Sequence, residues 1–332
     1  MDKVKIVILE RNSVGVDTPV DCFEELGEVT CYPNTTTAEE VRERTKDADI
    51  IVANKARLNE ESLRESPNVK LICEFATGFD NCDLTYCNSR GIKVANVADY
   101  CTDMVAQHTF TLMLTLLQKL PHYDEYVKSG AYAAQDRFSN FDEPFTELTG
   151  KTWGIVGMGH IGKKVAQIAT AFGCRVIFHS VTGKSTVTEY EQVDKDTLLR
   201  ESDFLSLHCP LTEENYHLIN KDTIAKMKDG VILVNTSRGA LIKTEDLIQG
   251  IRDGKFFAVG LDVYEEETGT VYEDMSDRIL EHSTMARLLS FPNVCVTSHQ
   301  GFFTKEALEA ISETTMDNAL AFLEGRKNGN EL

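Results

Sequence analysis

The sequence predicts an α/β protein built from two parallel-sheet domains, and three observations carry that expectation. The first hundred residues alternate short Val- and Ile-rich runs with helical patterns. A second series of the same kind starts at Lys151. The length, 332 residues, suits two domains of roughly 100–200 residues each.

In chain order, VKIVILE, DADIIVAN, NVKLICEFA and GIKVANV read as strands buried on both faces. Between the first two lies TTTAEEVRERTK, where Thr37 and Glu40 have the spacing of a capping box at a helix start. Strand–helix–strand alternation of this kind implies a parallel sheet with helices on both faces. The stretch from Met104 to Leu120 reads as a buried helix. Gln107, His108 and Gln118 interrupt it, and it falls short of the ~20 apolar residues that a membrane span requires. From Ser129 to Thr149 the chain is polar, aromatic and irregular, as expected of a surface loop. The second series has strands at TWGIV, RVIFHS, DFLSLHC, GVILVNTS and FFAVGLDV, with KVAQIATAFG and KTEDLIQGIRDG as helices between them. Past Phe303, TKEALEAISETTMDNALAFLEG reads as a last amphipathic helix, which the pattern alone assigns to neither domain.

Composition narrows the function. With 53 acidic against 34 basic residues the net charge is −19, a surface that repels phosphate backbones and argues against a nucleic-acid partner. An anionic substrate must then be drawn in by local positive groups. The start, MDKVKIVILE, reads as a strand rather than a signal peptide, because its apolar stretch is short and runs into Glu10 and Arg11. No membrane partner is expected. Nine cysteines without a C-x-x-C pair suggest reduced thiols and a cytoplasmic location rather than a disulfide framework. No clustered His/Asp/Cys set is visible, so no metal is expected.

Gly157, Gly159 and Gly162 form GMGHIG directly after an apolar strand and before a helix. The first glycine permits the tight turn, the second lets backbone approach a pyrophosphate, and the third allows close helix–strand packing. With His160 and Ile161 they open a helix whose free N–H groups suit a dinucleotide, NAD(H) or NADP(H). A merely structural glycine turn is the rival reading. An acidic residue after the next strand would favour NAD; the run here is FHSVTGKS. Ser180 and Thr182 are donors for a 2′-phosphate and Lys184 supplies charge, while a solvated turn tolerating both cofactors is the bland alternative. TGKS is not a P-loop, since Phe178 stands where the upstream glycine is required.

Three further segments sit at strand ends, where open α/β sheets place ligands. They are VNTSRGAL around Arg238, GLDVYEEE ending at Glu267, and TSHQGFF around His299. Reduction of a 2-oxo acid needs these residue types. A guanidinium clamps a carboxylate through paired hydrogen bonds, and an imidazolium gives a proton to the carbonyl oxygen as hydride arrives. A carboxylate beside that imidazole favours its charged form and fixes its orientation.

In these segments the chain resembles the D-isomer-specific 2-hydroxyacid dehydrogenases, over essentially its whole length. The resemblance implies Arg238, Glu267 and His299 as the catalytic set. It also implies two Rossmann-like or flavodoxin-like parallel-sheet domains with a cleft between them. The substrate domain would be discontinuous, residues 1–101 plus 302–332, with a dinucleotide-binding domain at 102–301. By the same resemblance FATGFD points to Thr77 and Gly78 as backbone donors to the substrate carboxylate, and Tyr100 to a pocket wall. Val105, Pro210, Thr212, Thr236 and Asp262 match positions that line the cofactor. A homodimer with the helix from Thr102 near the interface is implied too. MARLLSFPNV and HQGFFT look most like D-lactate dehydrogenases, whereas FATGFDNCD and the Ser180 turn look more like hydroxypyruvate or glycerate dehydrogenases. Reductases of branched or aromatic 2-oxo acids are a further alternative. Ser298 stands where a proline is common, with only a small local effect expected.

Each assignment has a plainer rival. Arg238 competes with an ordinary surface arginine, and Glu267 with its acidic neighbours Glu265 and Glu266. His299 competes with a hydrogen-bonded structural histidine; His108 and His208 lie in apolar stretches and read as core or supporting groups. Tyr264, Phe302 and Phe303 are core aromatics unless one of them, Phe302 being the candidate taken here, lines the substrate pocket. At the level of the whole protein, the rival from another class is a redox-sensing regulatory protein that binds cofactor without turnover.

Overall fold

Runs of Val and Ile leave their backbone N–H and C=O groups to be paired between strands, and here they do so in two all-parallel sheets. The computed structural model describes residues 3–15, 18–141, 144–183, 185–267 and 284–332. Its chain divides into two compact units, Met1–Cys101 with Phe303–Leu332, and Thr102–Phe302.

The first unit holds β1 (Val4–Ile8), β2 (Gly27–Cys31), β3 (Ile50–Ala53), β4 (Leu71–Glu74) and β5 (Lys93–Ala95), in the order β2-β1-β3-β4-β5. This is a flavodoxin-like order. Helices α1 (Ala38–Thr45), α2 (Glu60–Leu63) and α3 (Leu84–Arg90) link the strands. The capping box opens α1: Thr37 Oγ1 accepts from the Glu40 N–H at 3.2 Å, and the Glu40 carboxylate accepts from the Thr37 N–H at 3.2 Å. Every residue of β3 and β4 is buried, as their unbroken apolar runs require. Ile6, Ile8, Phe23 and Phe75 pack with Ile311 and Ala319 of the C-terminal helix, Lys305–Glu324. Strand β2 is absent from the sequence reading. GEVTC is a largely exposed edge with Glu28 and Thr30 in it, and only its ladder to β1, Val4↔Gly27 to Ile8↔Cys31, makes it a strand.

The second unit contains β6 (Thr152–Val156), β7 (Arg175–His179), β8 (Glu191–Gln192), β9 (Phe204–Leu207), β10 (Val231–Asn235), β11 (Phe256–Leu261) and β12 (Val294–Val296). Their order is β12-β11-β10-β9-β6-β7-β8. The winding reverses at β6, which has β7 on one side and β9 on the other, and such a reversal opens a crevice at the carboxyl ends. Alternate residues face two cores, one with Val156, Ile177, Leu205 and Leu233, the other with Trp153, Ile155, Phe178 and Phe204. The helices are α4 (Thr102–Leu117), α5 (Leu120–Lys128), α6 (Ala131–Ala134), α7 (His160–Ala171), α8 (Lys195–Glu201), α9 (Lys221–Lys226), α10 (Thr244–Arg252) and α11 (Thr284–Leu289). Helix α4 is the buried helix expected there. Apart from α6, the described residues between Ser129 and Thr149 are irregular, and Phe138, Phe141 and Phe145 among them are exposed. Among the described residues no helix is long and apolar enough to cross a membrane.

One buried amide ties the C-terminal segment to the first sheet. Asn318 Nδ2 donates to the Asn96 carbonyl at 2.9 Å, and its Oδ1 accepts from the amides of Asn328 and Asn330 at 2.7 and 2.8 Å. Asn318→Leu removes all three bonds and is expected to cost about 1–3 kcal/mol, read as a lowered urea midpoint. A midpoint equal to that of the parent would show that the amide does not hold the tail.

Candidate active site

The glycine turn lies where the sheet reverses. Gly157 follows β6 with φ +91°, and a Cβ there would stand 2.7 Å from the His208 carbonyl oxygen and 2.8 Å from the Cys209 nitrogen. Any side chain would force β6 and β9 apart. A Cβ on Gly162 would lie 2.1 Å from the Gly157 oxygen, so α7 approaches the turn more closely than alanine allows. Gly159 differs: a Cβ there meets nothing within 4 Å, and no side chain caps α7. The helix opening at His160 and Ile161 therefore presents its first N–H groups through open space. That donor set fits the pyrophosphate of a nicotinamide dinucleotide.

Beyond β7 the chain turns at Ser180, whose carbonyl accepts from the Gly183 N–H at 3.1 Å. The Ser180 and Thr182 hydroxyls stand 3.5 Å apart on this turn. Lys184 lies outside the described residues. On the other side of the reversal Asn215 shapes the loop after β9: its Nδ2 donates to the Pro210 carbonyl at 2.7 Å and its Oδ1 accepts from the Thr212 N–H at 2.7 Å. Neighbouring His208 is half-buried, but both of its ring nitrogens are shielded from solvent without a hydrogen bond, and burial pushes its pKa down to about 3. It is a neutral imidazole packed behind the glycine turn.

Arg238, Glu267 and His299 emerge past the carboxyl ends of the adjacent strands β10, β11 and β12. Asn235, fully buried, shapes the Arg238 turn, donating from Nδ2 to the Arg238 carbonyl at 2.9 Å and accepting the Ser237 N–H at 3.0 Å. Gly239 follows because a Cβ there would meet the Tyr264 carbonyl at 2.0 Å. The three glutamates after β11 have separate fates. Glu265 pairs with His217 and accepts the Thr244 N–H at 2.9 Å, and Glu266 accepts from Thr284 Oγ1 at 2.6 Å. Glu267 faces His299, with Oε1 2.6 Å from Nδ1. The Phe302 ring stands edge-on to that imidazole at 6.4 Å.

His299 is held at φ +55°, a left-handed conformation that costs a non-glycine residue energy. Asp262 compensates for it. The His299 N–H donates to the Asp262 carbonyl at 2.9 Å. Its carboxylate accepts from Thr297 Oγ1 at 2.6 Å, the Gln300 N–H at 2.8 Å and the Gly301 N–H at 2.7 Å. His108 Nε2 approaches it at 3.2 Å and Thr297 Oγ1 at 2.9 Å. Burial by itself would raise the Asp262 carboxyl. The hydrogen bonds from His108, Thr297, Gln300 and Gly301 outweigh that and hold it below the usual range. Val105 lies beside Gly301, and Thr109, which donates to the Val105 carbonyl, stands 3.0 Å from Thr236 Oγ1.

Thus Asp262 and His299 come together through one hydrogen-bonded network in the second unit, and Thr109 joins Val105 and Thr236 in a second set. Thr77, Gly78 and Tyr100 belong to the first unit; Thr77 is exposed, and Gly78 and Tyr100 are half-buried. Sequence reasoning passed over Asn235 and Thr297, and placed His108 among core or supporting groups without identifying its partners. Their only prior signal is a polar residue in an apolar run. Among the described residues no group of His, Cys, Asp and Glu is placed to hold a metal ion.

The profile of the D-isomer specific 2-hydroxyacid dehydrogenase NAD-binding domain matches residues 110–301. The chain is 35% identical to a hydroxypyruvate reductase of Blautia hydrogenotrophica, across 97% of this chain and 98% of that protein. It is 39% identical to a D-lactate dehydrogenase of Escherichia coli, across 80% and 79%. Among solved structures, the D-lactate dehydrogenase from Aquifex aeolicus complexed with NAD and lactic acid matches with a TM-score of 0.83 at 32% identity. That match covers 97% of this chain and 96% of that one.

Because the Asp262 carboxyl is depressed by folding, its stabilisation is present above the ordinary aspartate value of 3.8 and is lost as pH falls through the folded value. Asp262→Asn is therefore expected to be less stable than the parent at neutral pH, with the gap closing as pH falls below 3.8. Thermal melts of both proteins against pH check this; a gap that stays constant would refute it.

Proposed function

The chain belongs to the D-isomer-specific 2-hydroxyacid dehydrogenases, oxidoreductases with an NAD-binding domain, and from that premise we propose that it reversibly reduces a small 2-oxo acid to the D-2-hydroxy acid. The observation that carries the reading is the His299–Glu267 pair, 2.6 Å apart, on the strand edge that also bears Arg238. Bound nicotinamide cofactor supplies the hydride for this chemistry. Arg238 binds the substrate carboxylate and Phe302 flanks the substrate side chain; in the first unit, the family resemblance gives substrate binding to the backbone N–H groups of Thr77 and Gly78 and to Tyr100. Glu267 occupies Nδ1 of His299, so Nε2 is the nitrogen that gives its proton to the keto oxygen and recovers it in the reverse direction.

For the substrate we favour a D-lactate dehydrogenase-like reduction of pyruvate, on the strength of the HQGFFT segment around His299. Hydroxypyruvate is the second reading, favoured by the FATGFD loop and by relatives named hydroxypyruvate reductase and glycerate dehydrogenase, 35% and 33% identical. The hydroxyls of Ser180 and Thr182, with no acidic side chain between His179 and Gly183, support use of NADP(H) as well as NAD(H). Pro210 and Thr212 flank the same crevice, and Val105, Thr236 and Asp262 the nicotinamide end. A homodimer is supported by Phe138, Phe141 and Phe145, 90%, 69% and 52% exposed, which a second copy would cover. Nine free thiols support a reducing, cytoplasmic setting.

Loss of reduced-nicotinamide absorbance with NADH or NADPH, against pyruvate, hydroxypyruvate, 2-oxoisocaproate and phenylpyruvate, tests the reaction and ranks the substrates. Silence across that panel, from protein that still binds cofactor, would defeat the reading. His299→Gln is expected to lower kcat by about 10²–10⁴-fold with cofactor affinity nearly intact. Turnover at the parent's rate would remove His299 from its role. Ser180→Asp is expected to lower the NADPH/NADH ratio of kcat/KM by about tenfold or more, the worth of one ~1.5–3 kcal/mol charge-assisted hydrogen bond.

A further inference from the structure

Glu74 ends β4, directly before the loop that carries Thr77 and Gly78, and it is fully buried. Its Oε1 accepts from Asn81 Nδ2 at 3.1 Å and from Cys82 Sγ at 2.8 Å. One carboxyl group therefore spans from the entrance of the loop to its exit. The entrance has its own support: the Phe75 N–H donates to the Ala53 carbonyl at 2.7 Å, and Asn96 Nδ2 to the Thr77 carbonyl at 2.7 Å. At the exit, Asn81 Nδ2 also donates to the Ala56 carbonyl at 3.0 Å. The other carboxyl oxygen, Glu74 Oε2, is buried without a hydrogen-bond partner. An ionised group would leave charge on that oxygen in an apolar setting, whereas a carboxylic acid leaves only a hydroxyl.

We propose that Glu74 is a positioning residue for substrate binding: as an uncharged acid it ties the exit of the Phe75–Asp80 loop to its entrance, and ionisation loosens that tie and weakens the hold on the 2-oxo acid. The inference rests on the reading of this loop as the one that meets the substrate carboxylate.

The surroundings support a neutral acid. Burial, opposed by the hydrogen bonds from Cys82 and Asn81, pushes Glu74 up from an ordinary 4.5 to about 7. The ionisable groups facing it are Glu10 past β1, Lys55 past β3, Cys82 before α3, Cys87 within α3 and Cys73 beside it on β4. Glu10 Oε2 accepts the N–H groups of Asn54, Lys55 and Ala56 at 3.0, 2.9 and 2.8 Å, a bonding pattern that suits a carboxylate. A second negative charge nearby is disfavoured on that account. Burial also pushes the Cys82 thiol up, which keeps its S–H as a donor to Glu74.

Glu74→Gln presents an amide oxygen to Asn81 and Cys82 and does not titrate, whereas Glu74→Leu has no acceptor. On cofactor-saturated enzyme, the parent-to-Gln ratio of KM for pyruvate and for hydroxypyruvate is expected to rise about threefold or more between about pH 6 and pH 8.5, with the kcat ratio flat. Comparing the two proteins at each pH cancels every pH dependence that they share. Glu74→Leu is expected to raise KM throughout the range. A second readout needs no substrate. The folded value lies above the ordinary one, so the melting temperature of the parent relative to Glu74→Gln should fall as pH rises from 4.5 to about 7 and level off beyond. Gly78→Pro removes one backbone donor and should raise KM. If it does and the KM ratio stays flat with pH, the positioning role is overturned. If it leaves KM unchanged, the loop reading is overturned and the proposal with it. A melting difference independent of pH overturns the neutral acid.

Discussion

One buried carboxylate organises the chemistry of the second unit. Asp262 sits at the end of β11, 2% exposed, and receives three short hydrogen bonds from the turn after β12. Those bonds keep His299 in a left-handed conformation that its Cβ disfavours. Without them the turn would relax and the imidazole would lose its register with Glu267. His108 reaches the same carboxylate from α4, so the helix and two strand ends share a single charge. A desolvated aspartate is expensive, and only this density of donors keeps it ionised.

The cofactor side obeys a different constraint, that of backbone against backbone. Gly157 packs on the His208 and Cys209 backbone, and Gly162 packs on Gly157. These contacts bring α7 onto the point where the sheet reverses and leave the face of Gly159 open. A helix terminus and a polar carboxyl edge then lie on one side of one sheet, separated only by the width of its central strands. Hydride transfer and proton transfer require that proximity.

Parts of this arrangement are legible residue by residue. GMGHIG between a strand and a helix can be read because each glycine answers a local need. The Thr37–Glu40 box is likewise local, and both of its hydrogen bonds are present. Glu265, Glu266 and Glu267 are chemically identical in a row, so nothing local separates the partner of His217 from that of His299. Thr297 and Asn235 look like ordinary polar residues near strand ends, and their hydrogen bonds cross from one strand to the next. Strand β2 has no apolar signature because one edge and much of its surface face water. Glu74 has a carboxylate's sequence signal and a core residue's surroundings.

By itself, then, the sequence determined the fold class, the glycine turn between strand and helix, and the helix cap at Thr37. Each of these depends on periodicity or on backbone conformations that a few neighbouring residues dictate. Tertiary structure alone decided which glutamate meets His299, which side chains hold the turn that carries it, and that Glu74 lies buried beside the loop after β4. Those outcomes depend on parallel pairing between strands distant in the chain, and the spacing of residues along one strand carries no record of what its neighbour brings alongside.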